Sequence, residues 1–218
     1  MGNETRNSLG DGLRRLFAWF PGGARLIDKV EAATPVADRK TFHRKEEIDA
    51  IYANAGNQSW MVDLATVWRI GFGRFAPGTV VCLPLTLLGV LGTITVGSFE
   101  TALLFAFLAV VSTIACVLIE RAVERHFGGA DPTAFVLDEV AGYAVTLALC
   151  PPFLGWFGPI AAFFAFRFFD IFKPGIHAIE LLPIRGKIVW DDVAAGILGA
   201  ISVQILAWGG LFFRGAVT

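Results

Sequence analysis

Between Thr101 and Ile119 the chain runs nineteen residues without a charged side chain. A bilayer core about 30 Å thick calls for roughly 20 apolar residues in a helix, and only helices or closed barrels satisfy their backbone polar groups there. Four further stretches approach that length. They are Val80–Val96, interrupted by Pro84 and Gly89; the shorter Ala134–Leu149, closed by Pro151-Pro152; Phe153–Phe172; and Val193–Phe213. A proline pair stops a helix and turns the chain. The expected fold class is therefore all-α, a polytopic membrane bundle of four or five spans.

Composition agrees once its distribution is considered. Of 218 residues, 55% are hydrophobic and 17% charged, against about 25% charged in a soluble domain. Residues 1–69 hold 19 of the 37 Asp, Glu, Lys and Arg residues, so the remainder is more apolar than the average. The expected division is a polar N-terminal extension over 1–58, of unassigned role, and a membrane domain over 59–218. Within the extension, Leu13–Phe20 is a candidate interfacial segment and Phe42–Ala55 a candidate short surface helix, with a solvated arm as the alternative for both. Trp60–Ile70 reads as an interfacial helix, with Trp60, Trp68 and Arg69 suited to the headgroup level. MGNETRNSLGDG has no apolar core of a signal peptide, and Arg6 stands where myristoylation requires Ser or Thr. Cys82, Cys116 and Cys150 lie in apolar runs without metal-ligand spacing, so they read as buried small residues. His43 and His126 read as solvated, while His177 falls near the charged segments with no partner at zinc spacing.

Lys and Arg are abundant before the first span, absent from the GSFE turn, present as Arg121 and Arg125, absent from the Pro-Pro turn, and present again as Lys173, Arg185 and Lys187. By the positive-inside rule the N-terminus and the 120–133 and 173–192 loops are cytoplasmic. Eight ionisable residues at the span edges, Asp131, Asp138, Glu139, Arg167, Asp170, Lys173, Asp191 and Asp192, then converge on one leaflet. Charge at bilayer depth is costly and marks function by default.

Each segment carries a structural alternative. In DPTAFVLDEVAG, Asp138 and Glu139 sit near a helix start that favours acids, or supply hard oxygen ligands of the kind Mg²⁺ prefers. In FRFFDIFKPG, Arg167 and Asp170 are three apart and either neutralise each other or divide between phosphate and metal. Lys173 either reaches the headgroups or binds phosphate. In VWDDVAAG, Asp191 and Asp192 are either helix caps or a second acid pair repeating the first. GFGRFAPGTV is a Gly-rich run into a helix, either a connector or a phosphate-binding start, and it lacks the Walker ending. Asp131 is the weakest member and reads equally as a cap.

Taken in order, GFGRFAPGT, DPTAFVLDEVAG, FRFFDIFKP and DDVAAG resemble the phosphatidylglycerophosphatase A family over residues 70–205. The resemblance implies a bacterial inner-membrane, Mg²⁺-dependent enzyme that converts phosphatidylglycerophosphate, a glycerophospholipid, to phosphatidylglycerol and phosphate. It also implies Asp138, Glu139, Asp170, Asp191 and Asp192 as metal-binding and catalytic acids, with Arg167, Lys173, Gly78 and Thr79 on the phosphate side. Attack by metal-activated water is favoured over a phospho-Asp intermediate, because the DxDx[TV] signature is absent. The competing readings are an ion- or proton-coupled transporter and an inactive anionic-lipid binder.

Overall fold

A computed structural model describes residues 45–73, 76–127, 134–173 and 186–217, with Lys187 and 213–217 described by backbone alone. Leu13–Phe20, His43, Asp131, His177 and Arg185 lie outside the described residues. All regular structure among the described residues is helical: α1 Lys45–Ala55, α2 Ser59–Ala65, α3 Pro77–Thr95, α4 Ser98–Phe127, α5 Leu137–Ala148, α6 Phe157–Phe172 and α7 Lys187–Val217.

Among the described residues, three helices are long and apolar enough to cross a membrane: Pro77–Thr95, Ser98–Phe127 and Ile188–Phe212. The expectation of four or five spans is therefore corrected to three. The other two segments are helical but short. At 1.5 Å per residue, α5 is about 18 Å long and α6 about 24 Å, against a hydrocarbon core of about 30 Å. The prolines at 151 and 152 end α5 early. Its burial then makes it an internal helix, with Tyr143, Ala141, Ala144 and Thr146 fully enclosed. By contrast, α6 turns Phe164, Phe168, Ile171 and Phe172 outward. An apolar face of this kind suits contact with lipid in a membrane-spanning chain.

Close helix contact depends on missing side chains. A Cβ on Gly196 would collide with the Gly142 carbonyl oxygen, and one on Gly199 would lie 3.1 Å from Phe166 N. Small residues let α5, α6 and α7 approach this closely, as is common in membrane interfaces. Thr146 Oγ1 lies 3.0 Å from Gly142 O and 3.1 Å from Gly196 O, sharing its proton across the crossing.

The described residues before the spans, 45–73, are built onto this bundle. Ile51 and Ala55 of α1 are buried with Val62, Phe72 and Ala134, so this helix docks on protein. The helix expected over 60–70 stops at Ala65. Val67, Trp68 and Arg69 then adopt left-handed backbone in succession, with φ of 46°, 52° and 72°. Such residues cost of order 1–3 kcal/mol each and need support. Here Arg69 N donates to Thr66 Oγ1 at 3.1 Å and Gly71 N donates to Thr66 O at 2.9 Å. The turn leaves Trp68 81% exposed. It also presses Gly71 against the Ala134 backbone, where no Cβ would fit, and lets Val136 N donate to Ala65 O at 2.9 Å. The run into α5 is thereby held from the N-terminal side. All three cysteines are free and buried.

Candidate active site

The same spacing occurs on two helices. Asp138 precedes Gly142 by four residues on α5, and Asp192 precedes Gly196 by four on α7. Residues four apart share a helix face. Because the two glycines meet backbone to backbone, the acids one turn earlier are carried toward the same point. Asp138, Glu139 and Asp192 each offer an oxygen within 4.8 Å of the others. Asp138 is 8% exposed and Asp192 4%. Asp138 Oδ1 also accepts from Glu139 N at 2.9 Å. Glu139 Oε2 is buried with no hydrogen-bond partner among the described residues. A buried carboxylate oxygen without a partner is costly. Three hard oxygen donors in this spacing fit a small divalent cation such as Mg²⁺.

The acids of α7 do not cap it. The helix begins at Lys187, which places Asp191 and Asp192 in its second turn, where a capping role does not apply. Those of α5 do stand in its first turn, but the N-cap Val136 makes no side-chain cap bond.

Arg167 enters from α6. The packing of Phe166 against Gly142 and Gly199 brings its neighbour Arg167 to the start of α3. A Cβ on Gly78 would collide with the Glu139 carboxylate and lie 3.1 Å from Arg167 Nη1. Gly78 therefore leaves the space in which an acid and a guanidinium converge. Arg167 Nη1 pairs with Asp170 Oδ2 at 2.5 Å, both side chains being 13–14% exposed. Its Nε is buried with no hydrogen-bond partner among the described residues.

Two of the anticipated acids are thus engaged elsewhere. Asp170 holds Arg167, within electrostatic reach of Glu139 and Asp192. Asp191, 5% exposed, pairs with Lys173 Nζ. That lysine ends α6 in a left-handed conformation, φ 42°, where glycine is usual. Thr79 is half-buried in the first turn of α3, next to Gly78. His126 is half-buried and bonds Gln58 Oε1 at 3.1 Å.

Glu120 is a buried acid that sequence reasoning missed. It is 5% exposed and accepts a bond from Gly186 N at 2.6 Å. In ERAVER it is one of several charges at a helix end, where solvation is the ordinary outcome. Its only sequence signal is that it directly follows the apolar run.

The family model for phosphatidylglycerophosphatase A matches residues 64–207, well over half of the chain. The chain belongs to the phosphatidylglycerophosphatase A family. It is a membrane-spanning phosphatase. A Haemophilus influenzae protein named phosphatidylglycerophosphatase A is 35% identical over 140 residues, covering 62% of this chain and 83% of its own. A Bacteroides thetaiotaomicron protein with the provisional name phosphatidylinositol-3-phosphatase is 33% identical over 149 residues, covering 66% of this chain and 92% of its own. No solved structure matches. The matched region holds every carboxylate of the cluster together with Arg167 and Gly78, whereas α1 lies outside it.

Proposed function

We propose that the chain hydrolyses the terminal phosphomonoester of phosphatidylglycerophosphate at the cytoplasmic leaflet of a bacterial inner membrane, using Mg²⁺. The observation that carries this reading is the meeting of Asp138, Glu139 and Asp192 within 4.8 Å, beside an arginine whose Nε lacks a partner among the described residues.

Asp138, Glu139 and Asp192 would hold the ion. When bound, Mg²⁺ neutralises charge developing on the phosphoryl oxygens and makes a water more acidic. Arg167, oriented by Asp170, donates to the equatorial oxygens of the phosphoryl group. Gly78 keeps the approach between Arg167 and Glu139 clear of side-chain atoms. Water attacks phosphorus, a carboxylate oxygen takes its proton, and the glycerol oxygen leaves with the phosphorus–oxygen bond electrons and is protonated. Lys173, held by Asp191, lies at the edge of this group and screens the charge of incoming phosphate. The Lys and Arg residues before α3, at the end of α4 and between α6 and α7, against none in the turn after α3, support the cytoplasmic assignment.

The test is phosphate release by purified protein from phosphatidylglycerophosphate, with Mg²⁺ or with EDTA. Release that requires Mg²⁺ supports the reading, and equal release in EDTA refutes the metal assignment. The name carried by the Bacteroides relative makes phosphatidylinositol 3-phosphate the competing substrate; a higher kcat/KM on that lipid would reassign the headgroup. Recovery of a phosphorylated aspartate after rapid quenching would replace water attack with a covalent route.

A further inference from the structure

Glu120 stands outside the acid cluster, near the end of α4. Its neighbours Arg121 and Arg125 are exposed, whereas Glu120 turns inward. Oε2 accepts from Gly186 N at 2.6 Å, and Oε1 is buried with no hydrogen-bond partner among the described residues. Gly186 occupies a position that favours glycine: its φ is +78°, and a Cβ there would lie 2.6 Å from Val117 Cγ2. Its carbonyl accepts from Val189 N at 3.0 Å and Trp190 N at 3.1 Å. Gly186 is thus the cap residue of α7.

In a capping box the third helical residue, a Glu or Gln, reaches back to the cap N–H. In α7 that position is Val189, which has no acceptor. Glu120 supplies the acceptor from another helix. Asp192 follows the cap by six residues, less than two turns away. A slip of one residue at the start of α7 would turn Asp192 by about 100° and move it about 1.5 Å along the axis. Either change would take its oxygen out of the cluster with Asp138 and Glu139.

We infer that Glu120 is a positioning residue: it fixes where α7 begins, and so sets the register in which Asp192 joins the carboxylate cluster. This rests on reading that cluster as a divalent-cation site, and the test therefore has one arm that needs no metal. Hydrogen–deuterium exchange of metal-free protein in detergent reads the amides of 186–192. Electron paramagnetic resonance with Mn²⁺ as the probe reads cation affinity.

For Glu120→Ala, exchange over 186–192 is expected to quicken about tenfold, with α5 unchanged, as local opening of one helix end would produce. Mn²⁺ affinity should fall about 10–100-fold, the usual effect of losing a group that orients a metal ligand. Glu120→Gln keeps a carbonyl acceptor and should restore both readouts to near wild type. Should Glu120→Ala fail to fold, Glu120→Asp, one methylene too short to reach Gly186, carries the same two measurements. Unchanged exchange in the Ala or Asp variant, or a Gln variant as impaired as Ala, overturns the positioning role. Wild-type protein that binds no Mn²⁺ would instead remove the cation reading, leaving the exchange arm to judge Glu120 by itself.

Discussion

LDEVAG on α5 and WDDVAAG on α7 carry nearly the same text: an acid pair, then valine and alanine, then glycine. The structure uses them differently. On α5 both acids face the cluster. On α7 Asp192 joins it, while Asp191 turns to Lys173. Adjacent helical residues point about 100° apart, so a pair can serve one site only where that site spans both directions. The cluster lies in the fork between Asp138 and Glu139 and meets α7 along a single direction. Matching motifs therefore imply matching geometry at the Asp-to-Gly spacing and nowhere else.

The largest test of this asymmetry is a set of charge-removing changes. Asp138→Asn and Asp192→Asn should each lower phosphate release about 10³-fold, the scale of losing an electrostatic group at a phosphoryl transition state. Asp191→Asn should cost only about 10–100-fold, as expected of a residue that supports a neighbour. Equal losses at Asp191 and Asp192 would break the comparison.

Next in size is the glycine crossing itself. Gly196→Ala drives a methyl group into the Gly142 carbonyl oxygen and should destabilise by about 1–3 kcal/mol. It should also weaken the proposed Mg²⁺ activation, because separating the helices separates the acids. Thermal unfolding in detergent and a Mg²⁺ titration measure the two effects, and a stability loss with normal Mg²⁺ dependence would disconnect the crossing from the site. Thr146→Val removes the hydroxyl shared by Gly142 O and Gly196 O. It should cost about 0.5–1.5 kcal/mol while leaving the Mg²⁺ dependence intact.

The smallest effect lies in the N-terminal clamp. Burial, with help from its hydrogen bond to Asp63, pushes the Tyr52 hydroxyl up from an ordinary value near 10 to about 12. The folded state therefore keeps this proton after the unfolded state has lost it. The stabilisation is complete below about pH 10 and disappears as pH rises through about 12. Fluorescence of the exposed Trp60 and Trp68 should show a step in that window, and Tyr52→Phe should abolish it.

How much of this was legible depended on which forces were local. The five apolar segments were readable because helix formation in lipid follows apolar length. Their ends were not, since α4 continues past Ile119 to Phe127 and α7 starts six residues before Val193. That earlier start is what removes the capping explanation for Asp191 and Asp192. The demotion of α5 from span to internal helix depends on what surrounds it, which hydropathy does not record. Candidate acids could be named from their cost in lipid, but their partners could not. Pairing of Lys173 with Asp191 spans eighteen positions, and the bond from Gly186 to Glu120 spans sixty-six. Such contacts belong to the packing of helices and leave no periodic trace.

The outward phenylalanines of α6 share that helix with Arg167 and Asp170, so the lipid-facing side and the proposed phosphate side lie on neighbouring faces of one short rod. A phospholipid can then present its phosphate while its tails stay among their neighbours, and the product departs without crossing water. For such an arrangement concentration is counted per area. Turnover in mixed micelles or vesicles will follow the mole fraction of substrate in the surface, and diluting it with inert lipid will slow the reaction at constant bulk concentration.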